Sequence, residues 1–136
     1  MNLGIFIEQV PDGDGPWWRM LASGLEWTLA TAVLAWIAAF VLGSVLGVAR
    51  TTDKPWLVRL GNGYVELFRN IPLIVQFFIW YFVVPGLVPS VKKWVVALDP
   101  TTHQFATAVV CLGLFTAARL AEQVRAGIQS LPRGQR

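Results

Sequence analysis

The chain has 136 residues and a net charge of +3, and 55% of its residues are hydrophobic whereas only 14% are charged. Soluble domains carry about 25% charged residues, so this composition, with a mean hydropathy of +0.56, indicates that lipid is part of the solvent. The basic residues form no continuous patch and lie between apolar runs, which argues against a nucleic-acid-binding protein.

Three long stretches without a charged residue predict three transmembrane helices. Residues 27–49, 70–91 and 100–118 are uncharged, which gives runs of 23, 22 and 19 residues. A helix rises about 1.5 Å per residue, so roughly 20 apolar residues cross a hydrocarbon core of about 30 Å. The alternative, a soluble protein with three buried helices, lacks the polar surface needed to enclose them. The sequence therefore predicts an all-α integral membrane protein.

The first transmembrane helix is predicted over about residues 21–49. An extracytosolic segment, residues 1–20, precedes it and brings tryptophans to the membrane interface, where this residue type is enriched. Within the helix, Gly43 and Gly47 form a small-xxx-small pattern, which allows two membrane helices to approach closely. Because glycine is frequent in membrane helices, a chance occurrence is the alternative interpretation.

A polar connection over residues 50–70 follows, and Pro55 and the segment Gly61-Asn62-Gly63 are expected to interrupt it. A short amphipathic helix fits within residues 60–68, ahead of the second membrane helix.

The second and third membrane helices are predicted over about residues 70–88 and 103–120. Pro72 is compatible with the first turn of a helix, where its missing N–H would be unpaired in any case. The second helix is expected to become irregular after Val84, and a polar loop over residues 90–102 leads to the third. A cytosolic continuation of the third helix is expected to end at Gln129.

The distribution of positive charge predicts the orientation in the membrane. Residues 50–70 and 119–136 together hold eight lysines and arginines, whereas the opposite side holds three. The positive-inside rule then places the N-terminus outside the cytosol and the C-terminus inside it. Three crossings require the two ends to lie on opposite sides, which agrees with this assignment.

Catalysis requires a nucleophile with a base, paired carboxylates or a metal cluster, and the sequence shows none of these. It also lacks a phosphate-binding loop, so we expect no enzyme activity, no cofactor and no metal site. Polar residues within a membrane segment are costly and therefore informative. Gln76 fits equally well a polar pathway or a hydrogen bond to a neighbouring helix. The candidates for lining a polar pathway are Gln76, Asn70 and Thr116.

Two pairs of opposite charge are spaced three residues apart, Glu66 with Arg69 and Glu122 with Arg125. Residues at this spacing can meet on one helix face. Ordinary solvated ion pairs contribute little to stability, which is the alternative interpretation. Both pairs lie at the cytosolic ends of membrane helices, and this position favours a functional role.

Two stretches carry a resemblance to a known family. Residues 64–78 read YVELFRNIPLIVQFF, and residues 114–135 read LFTAARLAEQVRAGIQSLPRGQ. The chain resembles the permease subunits of bacterial ABC importers for polar amino acids, and is most similar to the glutamate/aspartate type. The likeness extends over almost the whole chain.

The resemblance implies a membrane-embedded permease domain over residues 21–136, part of a five-helix fold in the bacterial inner membrane. It implies a sister permease subunit, a cytosolic ATPase subunit that hydrolyses ATP, and a periplasmic amino-acid-binding protein as partners. The motif and coupling positions that it implies are Glu66, Arg69, Pro72, Glu122, Arg125, Gly127, Pro132 and Gly134.

The sequence departs from the family's pattern at its end. The family continues with a Glu-Ala-Ala segment after the matching Gly-Gln, whereas this sequence ends at Arg136. We therefore expect the N-terminal portion of a permease, either as a fragment or as a truncated product. A truncated, non-transporting scaffold that only pairs with a sister subunit is the alternative function.

Overall fold

The computed structural model describes residue 4, residues 7–9 and residues 15–132. The fold is all-helical. The principal elements, in chain order, are α1 (Trp17–Ala49), α2 (Pro55–Asn70), α3 (Leu73–Phe78), a π-helical segment (Ile79–Val83), α4 (Val84–Leu87), α5 (Pro89–Val96) and α6 (Pro100–Gln129). By length and composition α1 and α6 can each cross a membrane. The helical stretches Pro55–Asn70 and Leu73–Leu87 are bent sharply relative to each other, and together they provide a third, broken span if they are counted as a single one.

Small residues hold α1 and α6 together. Gly43 and Gly47 are buried against α6, and a Cβ atom added to them would lie 2.8 Å from the Leu120 Cβ and 2.6 Å from the Val124 Cβ. Without side chains at these two positions the helices approach closely, as in the small-xxx-small arrangement. Large apolar side chains such as Phe40 instead point outward, which suits a helix whose solvent is lipid.

The contacts between α1 and α6 show that the two helices run in the same direction. Near their beginnings the rings of Trp27 and Phe105 lie 5.1 Å apart, and near their ends Gly47 lies against Val124. If two parallel helices both cross a bilayer, the chain must return across it between them. The segment Leu73–Leu87, which rises about 22 Å, supplies most of that return, and uncharged residues flank it on both sides.

The structure corrects several predicted boundaries. α1 begins at Trp17 rather than at residue 21, and half of the predicted segment 1–20 lies outside the described residues. Residues 55–70 form one continuous helix, so the prediction that proline and glycines interrupt this stretch was wrong. Pro55 occupies the first turn of α2, where no N–H is needed.

The second membrane helix begins at Leu73 rather than at about residue 70, and its axis is bent by 102° relative to that of α2. After Val84 the chain remains helical to Leu87, which is more regular than expected.

The polar loop predicted over residues 90–102 overlaps α5, which covers Pro89–Val96, and α6 begins at Pro100, three residues before the predicted start. Asp99 caps α6, since its Oδ2 accepts a hydrogen bond of 2.9 Å from the Thr102 backbone N–H. This hydrogen bond holds the pKa of the Asp99 carboxyl below its ordinary value. α6 ends at Gln129, the residue at which the sequence predicts the end.

Candidate functional site

Arg50 lies at the point where α1, α2 and α6 meet. It follows the last residue of α1, and its backbone N–H donates to the Leu46 carbonyl. Because the glycines of α1 bring that helix close to α6, the Arg50 side chain is enclosed and only 5% exposed. A buried guanidinium requires a partner, since an unpaired charge away from water is strongly disfavoured.

Two groups satisfy the Arg50 guanidinium. Its Nη1 donates to Glu122 Oε2 on α6 at 2.8 Å, and its Nε donates to Asn62 Oδ1 on α2 at 2.7 Å. Arg69 and Arg125 stand farther from the same carboxylate, at 3.7 Å and 3.8 Å. These five residues, Arg50, Asn62, Arg69, Glu122 and Arg125, are called the arginine junction below.

α2 leaves space for the Arg50 side chain. A Cβ atom at Gly61 would lie 2.5 Å from the Arg50 Cγ, so only glycine leaves the necessary space. One turn later the Tyr64 hydroxyl donates to the Leu114 carbonyl of α6 at 2.8 Å. α2 is therefore fastened to both long helices, although glycine in a helix interior is unfavourable by about 1 kcal/mol relative to alanine.

The arginine junction contains some predicted residues and some that the sequence analysis missed. Glu122 and Arg125 meet as their spacing predicts. Within residues 15–132, Glu66 makes no ion pair within 4.0 Å, and Arg69 turns to Glu122 instead. Arg50 and Asn62 were missed. The available signal was a lone arginine directly after 23 uncharged residues, followed by an asparagine between two glycines.

Gln76 of α3 links the two helices of the broken span, α2 and α3, across the break between them. Its Nε2 donates to the Phe68 and Ile71 carbonyls, both at 2.9 Å, and the residue is 3% exposed. Pro72 has no N–H, so the Phe68 carbonyl loses the helical partner that it would otherwise have four residues later. The Gln76 amide replaces that partner and ties the start of α3 to the end of α2. Its Oε1 is buried with no hydrogen-bond partner in the described part of the chain.

The three pathway candidates do not share one environment. Gln76 is buried between the arms of the broken span, whereas Asn70 and Thr116 are exposed, at the end of α2 and on α6.

The remaining motif positions lie near the ends of the helices. Pro72 sits at the break, Gly127 is exposed in the last turn of α6 with open space around it, and Pro132 is exposed after that helix. Gly134 lies outside the described residues.

The arginine junction joins three helices through charged hydrogen bonds. Over residue 4, residues 7–9 and residues 15–132, no group of three His, Cys, Asp or Glu residues is placed to hold a metal ion. The ionisable groups that do converge at the arginine junction are mostly permanent cations. A cluster of this kind holds helices together and attracts anions.

Comparison with known proteins identifies close relatives. The chain is 53% identical over 99% of its length to the glutamate/aspartate import permease protein GltJ of Escherichia coli K12, and covers 56% of that protein. It is 39% identical over 99% of its length to the probable glutamine ABC transporter permease protein GlnM of Bacillus subtilis 168, and covers 54% of it.

A third relative is more distant. The glutamate/aspartate import permease protein GltK of Escherichia coli O157:H7 is 34% identical over 85% of this chain, which covers 50% of GltK. No protein-family model and no solved structure matches the chain. The chain spans about half the length of the curated relatives that it matches. Together with the apolar helices, these similarities show that the chain belongs to the amino-acid ABC transporter permease subunits, multi-pass proteins of the inner membrane.

Proposed function

We propose that the chain forms part of the transmembrane wall of an ATP-driven importer for glutamate or aspartate. The observation that carries the proposal is the 53% identity to a glutamate/aspartate import permease over 99% of the chain. The second relative is named for glutamine, which favours a polar amino acid of the same carbon skeleton. The permease itself contributes conformational change, while ATP hydrolysis belongs to a partner subunit.

The proposed assembly contains a sister permease subunit, a cytosolic ABC ATPase subunit and a periplasmic amino-acid-binding protein. The proposed orientation has the N-terminus in the periplasm and the C-terminus in the cytosol. Its support is the excess of lysine and arginine at one side of the membrane, eight residues against three. In this orientation the arginine junction and α2 lie at the cytosolic side, where an ATPase docks.

The arginine junction gives the proposed coupling a physical basis. Because Glu122 binds the end of α1 directly and Arg50 binds α2 through Asn62, a displacement of α6 is transmitted to both other helices. The positions that we propose for coupling to the ATPase are Glu66, Arg69, Pro72, Glu122, Arg125, Gly127, Pro132 and Gly134.

The proposed pathway residues remain Gln76, Asn70 and Thr116. Asn70 and Thr116 present exposed polar groups, and the Gln76 Oε1 is a free acceptor within the described residues. The acceptor suits the ammonium group of an amino acid, whereas the carboxylates of the substrate require donors from elsewhere.

The proposal is tested by co-reconstituting the chain with the sister permease, the ATPase and the binding protein in proteoliposomes. We expect glutamate or aspartate to stimulate ATP hydrolysis. Glu122→Gln should weaken the stimulation because it loosens the arginine junction. Lys93→Gln, on exposed α5, is the matched control and should leave the stimulation unchanged.

Assembly must be measured in the same preparation, by co-purification of all subunits. A complete assembly in which neither amino acid stimulates ATP hydrolysis would overturn the transport proposal. That result would instead favour a membrane scaffold that pairs with the sister subunit without forming a pathway.

A further inference from the structure

A polar pocket opens beside the arginine junction. Its volume is about 410 Å³, and its lining residues are Arg69, Arg119, Glu122 and Gln123. Arg119 is exposed, and its guanidinium lies 4.6 Å from the centre of the Phe115 ring. Within residues 15–132 Arg119 has no carboxylate within 4.0 Å, so its charge is available to a ligand.

The charge around the pocket is strongly positive. Arg50, Arg69 and Arg125 share one carboxylate, that of Glu122, and Arg119 adds a fourth guanidinium. The Glu122 Oε2 is already engaged by Arg50 at 2.8 Å. Arginine binds phosphate through parallel hydrogen bonds from its planar guanidinium. The pocket is therefore suited to an anion with several oxygen atoms.

The depth of the pocket in the membrane points to the source of that anion. Arg119 lies 19 residues after Pro100, the first residue of α6, a rise of about 28 Å. This distance matches the thickness of the hydrocarbon core, about 30 Å. If the beginning of α6 lies at one surface, Arg119 lies at the level of the headgroups at the other.

The position of α2 is consistent with placing the pocket at the level of the headgroups. Because α2 meets the following helix at 102°, it lies close to the bilayer plane when that helix crosses the membrane. Trp56, Leu60 and Leu67 are exposed on α2, as expected for an amphipathic helix that rests in the interface. Arg69, in its last turn, then faces the same headgroup layer as Arg119.

We propose that the pocket of Arg69, Arg119, Glu122 and Gln123 binds the phosphate of an anionic phospholipid. This lipid site requires only that the helices cross the membrane. It does not require the proposed transport function and goes beyond it. Basic pockets between transmembrane helices bind anionic headgroups in this way. The lipid would brace α2 against α6 beside the arginine junction.

The test is retention of phosphatidylglycerol, compared with phosphatidylcholine, by the purified chain in mild detergent, measured by native mass spectrometry. We expect phosphatidylglycerol to be retained preferentially. Arg119→Gln should weaken its binding about five-fold, since one basic group near the surface contributes on this scale. This variant leaves the ion pairs of Glu122 intact, so we expect the fold to be retained.

Arg59→Gln is the matched control, because Arg59 is an exposed arginine of α2 that does not line the pocket. It should leave lipid retention unchanged. Equal retention of both lipids, or the same loss in both variants, would overturn the proposal. Displacement of the lipid by inorganic phosphate at equal concentration would assign the pocket to free phosphate and would also overturn it.

Discussion

Three guanidinium groups of the arginine junction depend on one carboxylate, and this imbalance makes a strong prediction. Within residues 15–132, Glu122 is the carboxylate nearest to Arg50, Arg69 and Arg125, at 2.8, 3.7 and 3.8 Å. Glu122→Gln keeps the shape of the side chain and removes its charge. The Arg50 side chain is 5% exposed, so water cannot replace the lost carboxylate.

The magnitude follows from the burial of the two partners. Removing one member of a fully buried ion pair costs about 3–5 kcal/mol, whereas an exposed pair contributes about 0–1 kcal/mol. Glu122 is 38% exposed, and the glutamine retains a neutral acceptor for Arg50. We therefore expect Glu122→Gln to lower the free energy of unfolding by about 2 kcal/mol.

The reciprocal change should cost less. Arg50→Met removes the buried charge together with the cost of burying it, and the carboxylate left behind is 38% exposed, so it is not an uncompensated buried charge. Glu122 would retain Arg69 and Arg125 as partners. We expect a loss below about 1 kcal/mol, smaller than that of Glu122→Gln.

The assay is reversible unfolding in mixed micelles, in which a denaturing detergent is titrated and tryptophan fluorescence is followed. Glu26→Gln, an exposed carboxylate of α1 with no ion pair in the described structure, is the matched control and should change stability by less than about 0.5 kcal/mol. If Arg50→Met destabilises more than Glu122→Gln, or if Glu122→Gln equals the control, the reasoning about the buried guanidinium is refuted.

Three further predictions concern α2, the broken span and the orientation. Gly61→Ala should lower the free energy of unfolding by about 1–3 kcal/mol, since its Cβ would meet the Arg50 side chain. Gly63→Ala, in open space, should raise the free energy of unfolding by up to about 1 kcal/mol. If both glycine variants changed the free energy of unfolding in the same direction in the micelle assay, this prediction would be contradicted. Gln76→Leu should lower it by about 1–3 kcal/mol in that assay, because two carbonyls lose their donor. A cysteine at Lys93 should react with a membrane-impermeant maleimide in intact cells, and one at Lys54 only after lysis; the reverse pattern would exclude a periplasmic N-terminus.

The helices could be predicted from the sequence because their signal is local. The three uncharged runs coincide with α1, with the segment after Pro72 and with most of α6. The end of α6 at Gln129 was also predictable. The bend of 102° between α2 and α3 was not predictable. The angle between these two helices depends on which neighbouring groups donate hydrogen bonds to the carbonyls at the break, those of Phe68 and Ile71. Gln76 performs that role, and the sequence alone left it equally assigned to a pathway or a hydrogen bond.

The arginine junction was only partly predictable because its principal bond joins residues far apart in the chain. Glu122 and Arg125 were found through their spacing on one helix, whereas Arg50 lies 72 residues from Glu122. Gly61 was misread for a related reason. Local propensity makes glycine a helix breaker, but here the helix continues through it and uses the missing side chain to admit Arg50.

The two ends of the helix assembly are held by different kinds of contact. At the arginine junction, α1, α2 and α6 are joined by charged hydrogen bonds, which are short and directional. At the opposite end the contacts are between rings, Trp27 with Phe105 and Tyr81 with His103 at 4.4 Å. Aromatic pairs form over centroid distances of about 4.5–7 Å and in both stacked and edge-to-face arrangements, so a relative displacement of the helices weakens these contacts less than it weakens the hydrogen bonds. Relative movement of the helices should therefore be easiest at the end remote from the arginine junction, with the junction acting as the fixed point.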